Sequence, residues 1–213
     1  MAKHQYTLIE EIYNTATHMA GSLICSFLLG ILICTNVYAD PTPLKLVGCC
    51  TFGISSIIMF VCSSLYHAII EANIKEKLRL FDHLSIYCLM FGTFIPIVLD
   101  VVIPTNPVLG WSFALFQLCL IVGGVIFKIF SKHNYSMVST IIYCILGWSV
   151  ALIFIPIMNN MSRESLTWLI AGGFAYTIGV PFYVLKQYKW THSIWHVFVL
   201  IGVICHYMMM FTI

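Results

Sequence analysis

Two histidines near the carboxyl end, His192 and His196, stand four residues apart in the apolar run THSIWHVFVLIGVICHYMMMFTI. On an α-helix that spacing puts both imidazoles on one face, about 6 Å apart along the axis, which suits shared ligation of one metal ion. Each imidazole in a hydrocarbon setting needs a polar partner, and a shared zinc ion satisfies both. A third histidine, His67, closes another apolar run as Ser63-Ser64-Leu65-Tyr66-His67, and Asp82 opens a third as Phe81-Asp82-His83. Three neutral imidazoles, His67, His192 and His196, would complete the protein part of a tetrahedral zinc site, with one position left for water or substrate. Zinc brings the pKa of a bound water to about 7; Asp82 could hold that water and accept its proton, and Ser63, one turn from His67, could donate to a developing oxyanion. The alternative for Asp82 is a solvated carboxylate near a helix N-terminus, where the dipole favours it. The zincin pattern H-E-x-x-H carries its own glutamate base. Here Ser193 stands in that place and the spacing is one residue longer, so the motif itself supplies no base.

The elements that must position these residues are membrane helices. Of 213 residues, 61% are hydrophobic and only 8% charged, against roughly a quarter charged in a soluble domain. The apolar length comes in blocks of about 20 residues, a helical signature and not the short alternating segments of a porin-type barrel. The expected fold is an all-α integral membrane protein, a single domain over 1–213 with seven transmembrane helices. The spans fall at about 18–38, 46–70, 80–103, 108–130, 137–158, 164–185 and 192–213. The short gaps between them hold nearly all the charge and most of the turn formers. Lysine and arginine divide eight (Lys3, Lys75, Lys77, Arg79, Lys128, Lys132, Lys186, Lys189) against two (Lys45, Arg163) between the two sides. The basic side is cytoplasmic by the positive-inside rule, so the amino terminus is expected inside and the carboxyl terminus outside. The expected location is the plasma membrane, the inner membrane of a bacterium, with multiple passes. The first apolar stretch is too long for a signal-peptide core despite Val37-Tyr38-Ala39, and is read as a membrane helix.

With orientation fixed, depth can be compared. His67 ends the second span, Asp82 starts the third, and His192 and His196 start the seventh, all on the cytoplasmic side, so three helices bring these groups to one level. His206, ten residues beyond His196, is about 15 Å farther along the helix, too far for the same ion. It is expected to line a cavity or, preferably, to hydrogen-bond a neighbouring helix. His18 and His83 fit interfacial roles or support of the ligands, and His4 and His133 fit loops. The nine cysteines lie in apolar blocks without a C-x-x-C pair and read as small buried hydrophobes. Pro96, Pro156 and Pro181 read as helix kinks. A net charge of +2 gives no reason to invoke nucleic acid.

Taken together these residues resemble the hemolysin III family, which belongs to one seven-helix superfamily with the adiponectin and progestin receptors and the alkaline ceramidases. The matching pieces are EIYNTATHMAG from Glu11, SSLYH from Ser63, FDHLSIYCLMFGTFIP from Phe81, GGFAYTIG from Gly172 and HSIWHVFVLIGVICH from His192. Asp82-His83 and the short termini look like the bacterial hemolysin III branch. The resemblance implies zinc on His67, His192 and His196, with Asp82 holding the water and Ser63 close by, and its ceramidase branch implies hydrolysis of a membrane-lipid amide. Two functions follow as expectations. One is a zinc-dependent hydrolase of a membrane-lipid amide or ester, with membrane lipids as partners. The other is a non-enzymatic protein, pore-forming and cytolytic or a sensor of membrane state, in which zinc is structural.

Overall fold

The computed structural model describes residues 6–39, 42–130, 136–185 and 187–213, with the side chains of 37–39 and 136 set aside. His4 and His133, expected in loops, and Lys3, Lys132 and Lys186, counted on the basic side, lie outside these residues. The described chain is all helical and contains seven stretches long and apolar enough to cross a membrane. They are α1 (Leu8–Ala39), α2 (Pro43–Ala68), α3 (Ala72–Ile97), α4 (Pro107–Phe130), the pair α5 (Ser136–Trp148) and α6 (Phe154–Asn160), α7 (Arg163–Val184) and α8 (Thr191–Thr212). A π turn, Val98–Val102, continues α3 just past Pro96, where the ring removes a backbone donor and loosens the ladder. A 3₁₀ turn, Ser149–Ile153, joins α5 to α6, and Pro156 falls in the first turn of α6, where a missing N–H leaves no intrahelical bond broken.

Two helices start well before their apolar segments, and in both cases a cap explains it. α1 begins at Leu8, not near residue 18, because Thr7 and Glu10 form a capping box. Glu10 N–H donates to Thr7 Oγ1 at 3.3 Å, and Thr7 N–H and Oγ1 donate to Glu10 Oε2 at 2.9 Å each. α3 begins at Ala72, not near residue 80, because the Glu71 carboxylate accepts from Asn73 N–H at 3.0 Å and Ile74 N–H at 2.8 Å. These added turns carry Glu10, Glu11 and Asn14 on α1 and Lys75 and Arg79 on α3 into the bundle. Hydropathy alone hides them.

Packing is closest between α1 and α2, α2 and α3, and α7 and α8, and α1 also packs against α8. Of the apolar window in α3, 67% is buried, against 17% in α4, so α3 is central and α4 is a lipid-facing flank. Without a hydrophobic drive between helices in lipid, close approach of small residues does the work. Gly92 is the clearest case: a Cβ there would overlap Ser55 Oγ and come within 2.9 Å of the Thr51 carbonyl on α2. Tyr207 pins α8 to both α1 and α2, its hydroxyl donating to the Cys25 carbonyl at 3.0 Å and lying 3.1 Å from Ser56 Oγ.

The turn before α8 is fixed from a distance. Trp190 is the one non-glycine residue with positive φ, 66°, among the described residues, a left-handed conformation that costs about 1–2 kcal/mol for a residue with a Cβ. Its N–H donates to Glu10 Oε1 at 2.9 Å, and Glu10 is 2% exposed. One carboxylate therefore caps α1 and holds the start of α8. Replacing Glu10 with Ala removes both, and is expected to lower stability by about 2 kcal/mol. For a chain of this size that amounts to a drop of about 4–8 °C in the melting temperature, measurable by the thermal shift of detergent-solubilised protein.

Candidate metal centre

Three imidazoles meet at the end of the bundle where α1 and α8 begin and α2 ends. His192 Nε2 lies 3.3 Å from His67 Nε2 and 3.1 Å from His196 Nε2, and ligand atoms of the three all fall within 4.8 Å of one another. His67 and His196 are buried at 2% exposure, and His192 is half-buried. The i, i+4 spacing on α8 does what its geometry predicts, setting both rings on the face that packs against α1 and α2.

The groups behind the rings fix their tautomers. His67 Nδ1 is 2.6 Å from Glu11 Oε2, and His196 Nδ1 is 3.2 Å from the Asn14 carbonyl. A carboxylate and a carbonyl only accept, so Nδ1 is the protonated nitrogen on both rings. Both Nε2 atoms then present lone pairs towards His192 Nε2. With all three rings neutral, as metal ligation requires, at most one proton, on His192, is available for these three converging nitrogens. A shared cation satisfies all three at once, and the cluster can hold a metal ion.

Glu11, Asn14 and Lys75 extend the cluster. The second Glu11 oxygen takes a salt bridge from Lys75 Nζ at 2.9 Å. Lys75 also donates to the Tyr66 and Ile69 carbonyls at the end of α2, at 3.0 Å each, where a cation complements the helix dipole. Asn14 is fully buried and accepts from Ser193 Oγ at 2.6 Å through its Oδ1. His18 stacks on His196 with ring centroids 3.6 Å apart, and Tyr6 stacks on His192 at 5.0 Å. Burial pushes the Tyr6 hydroxyl well above the usual phenol range, so it remains neutral. His18, expected in an interfacial or supporting role, stacks on His196, and Glu11, Asn14 and Lys75 were not foreseen beside the cluster. Glu11, Asn14 and His18 form an i, i+3, i+7 stripe on α1, a signal present in the sequence and obscured by ending the apolar span at residue 18.

The cluster sits on the wall of a cavity of about 1540 Å³ that also takes in Ser63 and Asp82. Neither residue is hydrogen-bonded to the imidazoles. Ser63 is buried in the α2 wall, and the Asp82 carboxylate faces the cavity with His83 Nδ1 3.9 Å away. His83 turns its Nδ1 to the Arg79 carbonyl of its own helix. The cavity continues from the cluster along α7 and α8 to His206, passing mostly apolar residues such as Met59, Leu89, Val180 and Val199. Trp148, Ile170 and Phe174 line it and are exposed. Trp148 and Phe174 touch edge to face across α5 and α7. The cavity thus has a polar end at the cluster and an apolar flank between α5 and α7.

Comparison with known proteins agrees with this architecture. The family model described as "Haemolysin-III related" matches residues 6–207. A hemolysin-3 homolog of Bacillus subtilis is 32% identical over 198 residues, covering 92% of this chain and 91% of that protein. Hemolysin-3 of Bacillus cereus is 33% identical over 193 residues, covering 91% and 86%. The human monocyte to macrophage differentiation factor is 25% identical over 214 residues, covering 96% and 84%, a more distant kinship over nearly the whole length. Seven apolar helices, a buried three-histidine cluster and a match spanning almost every described residue lead to one conclusion: the chain belongs to the haemolysin III family, multi-pass membrane proteins that in bacteria lie in the inner membrane.

Proposed function

We propose that the protein is a zinc-dependent hydrolase of a membrane-lipid amide or ester. The observation that carries this reading is an open set of three ring nitrogens on the wall of a cavity that reaches bilayer depth. Zinc–nitrogen bonds of about 2.0–2.1 Å at tetrahedral angles put neighbouring ligand atoms roughly 3.3–3.4 Å apart, and the 3.1 and 3.3 Å separations agree with that. Three protein ligands are the number a catalytic zinc site uses; a structural site takes four. Bound there by His67, His192 and His196, zinc would supply Lewis acidity and a water of lowered pKa.

The residues of the chain supply the rest. Glu11 and the Asn14 carbonyl hold the ligand rings in register, and Lys75 balances the Glu11 charge. Asp82, on the cavity wall, is the general base that takes the proton from the attacking water and passes it to the departing amine or alkoxide. Ser63 donates to the carbonyl oxygen as the acyl carbon becomes tetrahedral. Water adds to the acyl carbon, the C–N or C–O bond breaks, and a fatty acid is one product. The lipid's chains lie in the apolar part of the cavity, which they reach between α5 and α7. The basic residues Lys75, Lys77, Arg79 and Lys189 share the side of the bundle that holds the cluster, so we place that side, with the amino terminus, in the cytoplasm.

The names of the two Bacillus relatives favour a second reading, lysis by a pore. The mainly apolar cavity wall gives little for a water-filled channel to use.

Three measurements separate these readings. Purified protein should contain about one zinc per chain, lost in His67→Ala and His196→Ala, while Glu11→Gln should weaken metal affinity by about 10–100-fold. Given a panel of acylated lipids, wild type should release fatty acid, and Asp82→Ala should slow release by roughly a hundredfold or more with its metal retained. Zinc-loaded protein inert toward every lipid would remove the hydrolase reading. Dye-filled liposomes should stay tight; leakage that persists in His196→Ala would favour the pore instead.

A further inference from the structure

One charged side chain on the cavity wall takes no part in the cluster or its supports. Glu11 and Lys75 pair with each other, and Asp82 is the base of the proposed reaction. Arg79 lines the same cavity from α3, one turn nearer the start of that helix than Asp82. Its guanidinium donates no hydrogen bond among the described residues. Its one ion pair there is a 3.7 Å approach to Glu76, whose side chain is 77% exposed. A solvated pair beyond hydrogen-bond distance holds an arginine weakly.

A second cation stands beside it. Lys128, near the end of α4, is close enough to Arg79 and Asp82 to act on both electrostatically. It is half-buried and makes no ion pair among the described residues. Basic residues at cytoplasmic helix ends are ordinary where they reach out into water or headgroups. An arginine on a cavity wall with a half-buried lysine alongside is another matter, because like charges held together repel until an anion joins them. Asp82 answers one of the two charges and Glu76 is solvated, so one positive charge is left over. Tyr66 of α2 also lines this end of the cavity, within electrostatic reach of Arg79 and Asp82.

We propose that Arg79 and Lys128 form a binding site, at the polar end of the cavity, for the phosphate of a phospholipid headgroup. A guanidinium presents its donors as a planar fork that engages two phosphate oxygens, and an ammonium adds a point charge. A phosphodiester carries one negative charge, the amount that Asp82 leaves unanswered. An uncharged head, a hydroxyl or an amide, leaves the surplus in place. Arg79 and Asp82 are three residues apart, about 4.5 Å along the axis, and in a phospholipid the phosphate and the ester carbonyls are only a few bonds apart. With the phosphate on Arg79, an ester carbonyl comes to the level of Asp82. That register rests on the hydrolase reading and favours a phospholipid ester over an amide with an uncharged head; the phosphate site itself does not rest on it.

The test is competition binding to the full-length purified protein in detergent. A fluorescent diacylglycerol is displaced by dioctanoylphosphatidylglycerol, by dioctanoylglycerol, which lacks the phosphate, and by glycerol phosphate, which lacks the chains. Wild type should prefer the phospholipid over dioctanoylglycerol by about tenfold, the worth of a charge-assisted hydrogen bond. Arg79→Gln and Lys128→Gln should each cut that preference several-fold and leave dioctanoylglycerol binding unchanged. Glycerol phosphate should compete poorly, having nothing to lay on the apolar wall. A phosphate held by a metal ion on the histidines would lose its advantage in His196→Ala; one held by Arg79 and Lys128 should keep it there. The proposal is overturned by the absence of a preference in wild type, by a preference that survives either substitution, by its loss in His196→Ala, or by glycerol phosphate binding as tightly as the lipid. Should Arg79→Gln fail to fold, Lys128→Gln decides, and should His196→Ala fail, wild type stripped with a chelator takes its place. The preference without lipid turnover would sink the hydrolase reading alone, and turnover without the preference would sink this site alone.

Discussion

Lone pairs on ring nitrogens 3.1 and 3.3 Å apart repel unless a proton or a cation lies among them, and most of the polar structure here follows from that constraint. Glu11 and the Asn14 carbonyl commit the ring protons of His67 and His196 to their outer nitrogens, which leaves the inner ones bare. The half-buried Glu11 carboxylate is matched in turn. Lys75 provides the match, and is itself held by the carbonyls at the end of α2. The chain of dependence runs from the ring nitrogens to a carboxylate, to an ammonium, to a helix terminus. Four helices contribute to it, so the cluster reports on the packing of α1, α2, α3 and α8 together.

The cavity beside the cluster has the converse character. Polar and charged groups gather at one end, and the wall beyond them is mostly apolar. A molecule matching that pattern is amphiphilic and longer than it is wide. Membrane lipids have this form, and Trp148 of α5 and Phe174 of α7, which line the space, are themselves exposed. The loose packing of α5 against its neighbours, compared with the close α2–α3 and α7–α8 pairs, is the reason a cavity exists there.

Much of this was legible in the residues. Blocks of apolar sequence revealed seven spans, and the His192–His196 spacing with His67 at the end of another span identified the three members of the cluster. Asp82 was legible only as to level: counting turns from a helix end gives depth, and depth does not say which way a side chain turns, so a wall position without a bond to the imidazoles was not foreseeable. Glu11 and Lys75 were missed for a different reason. Each lies in a helical turn too polar for a hydropathy window, extended beyond the apolar block by a cap, Thr7 with Glu10 in one case and Glu71 in the other. Glu11 meets His67 across 56 residues of sequence, a pairing no local pattern encodes. The π turn after Pro96 and the 3₁₀ turn before Pro156 were readable as irregularities, though their form depends on neighbours.

The clasp between Glu10 and Trp190 joins residues 180 positions apart, and the contacts of Asn14 with Ser193 and His196 span 179 and 182. Contacts so distant in sequence form late. During synthesis Glu11 can find His67 and Lys75 as soon as α2 and α3 are in place, whereas the contacts of Asn14 with Ser193 and His196 wait for α8. Two of the three residues of the candidate metal site, His192 and His196, lie on α8, so the site is complete only once that helix is in place. Truncation anywhere before them leaves polar side chains bare in lipid, a state that membrane quality control would have reason to recognise.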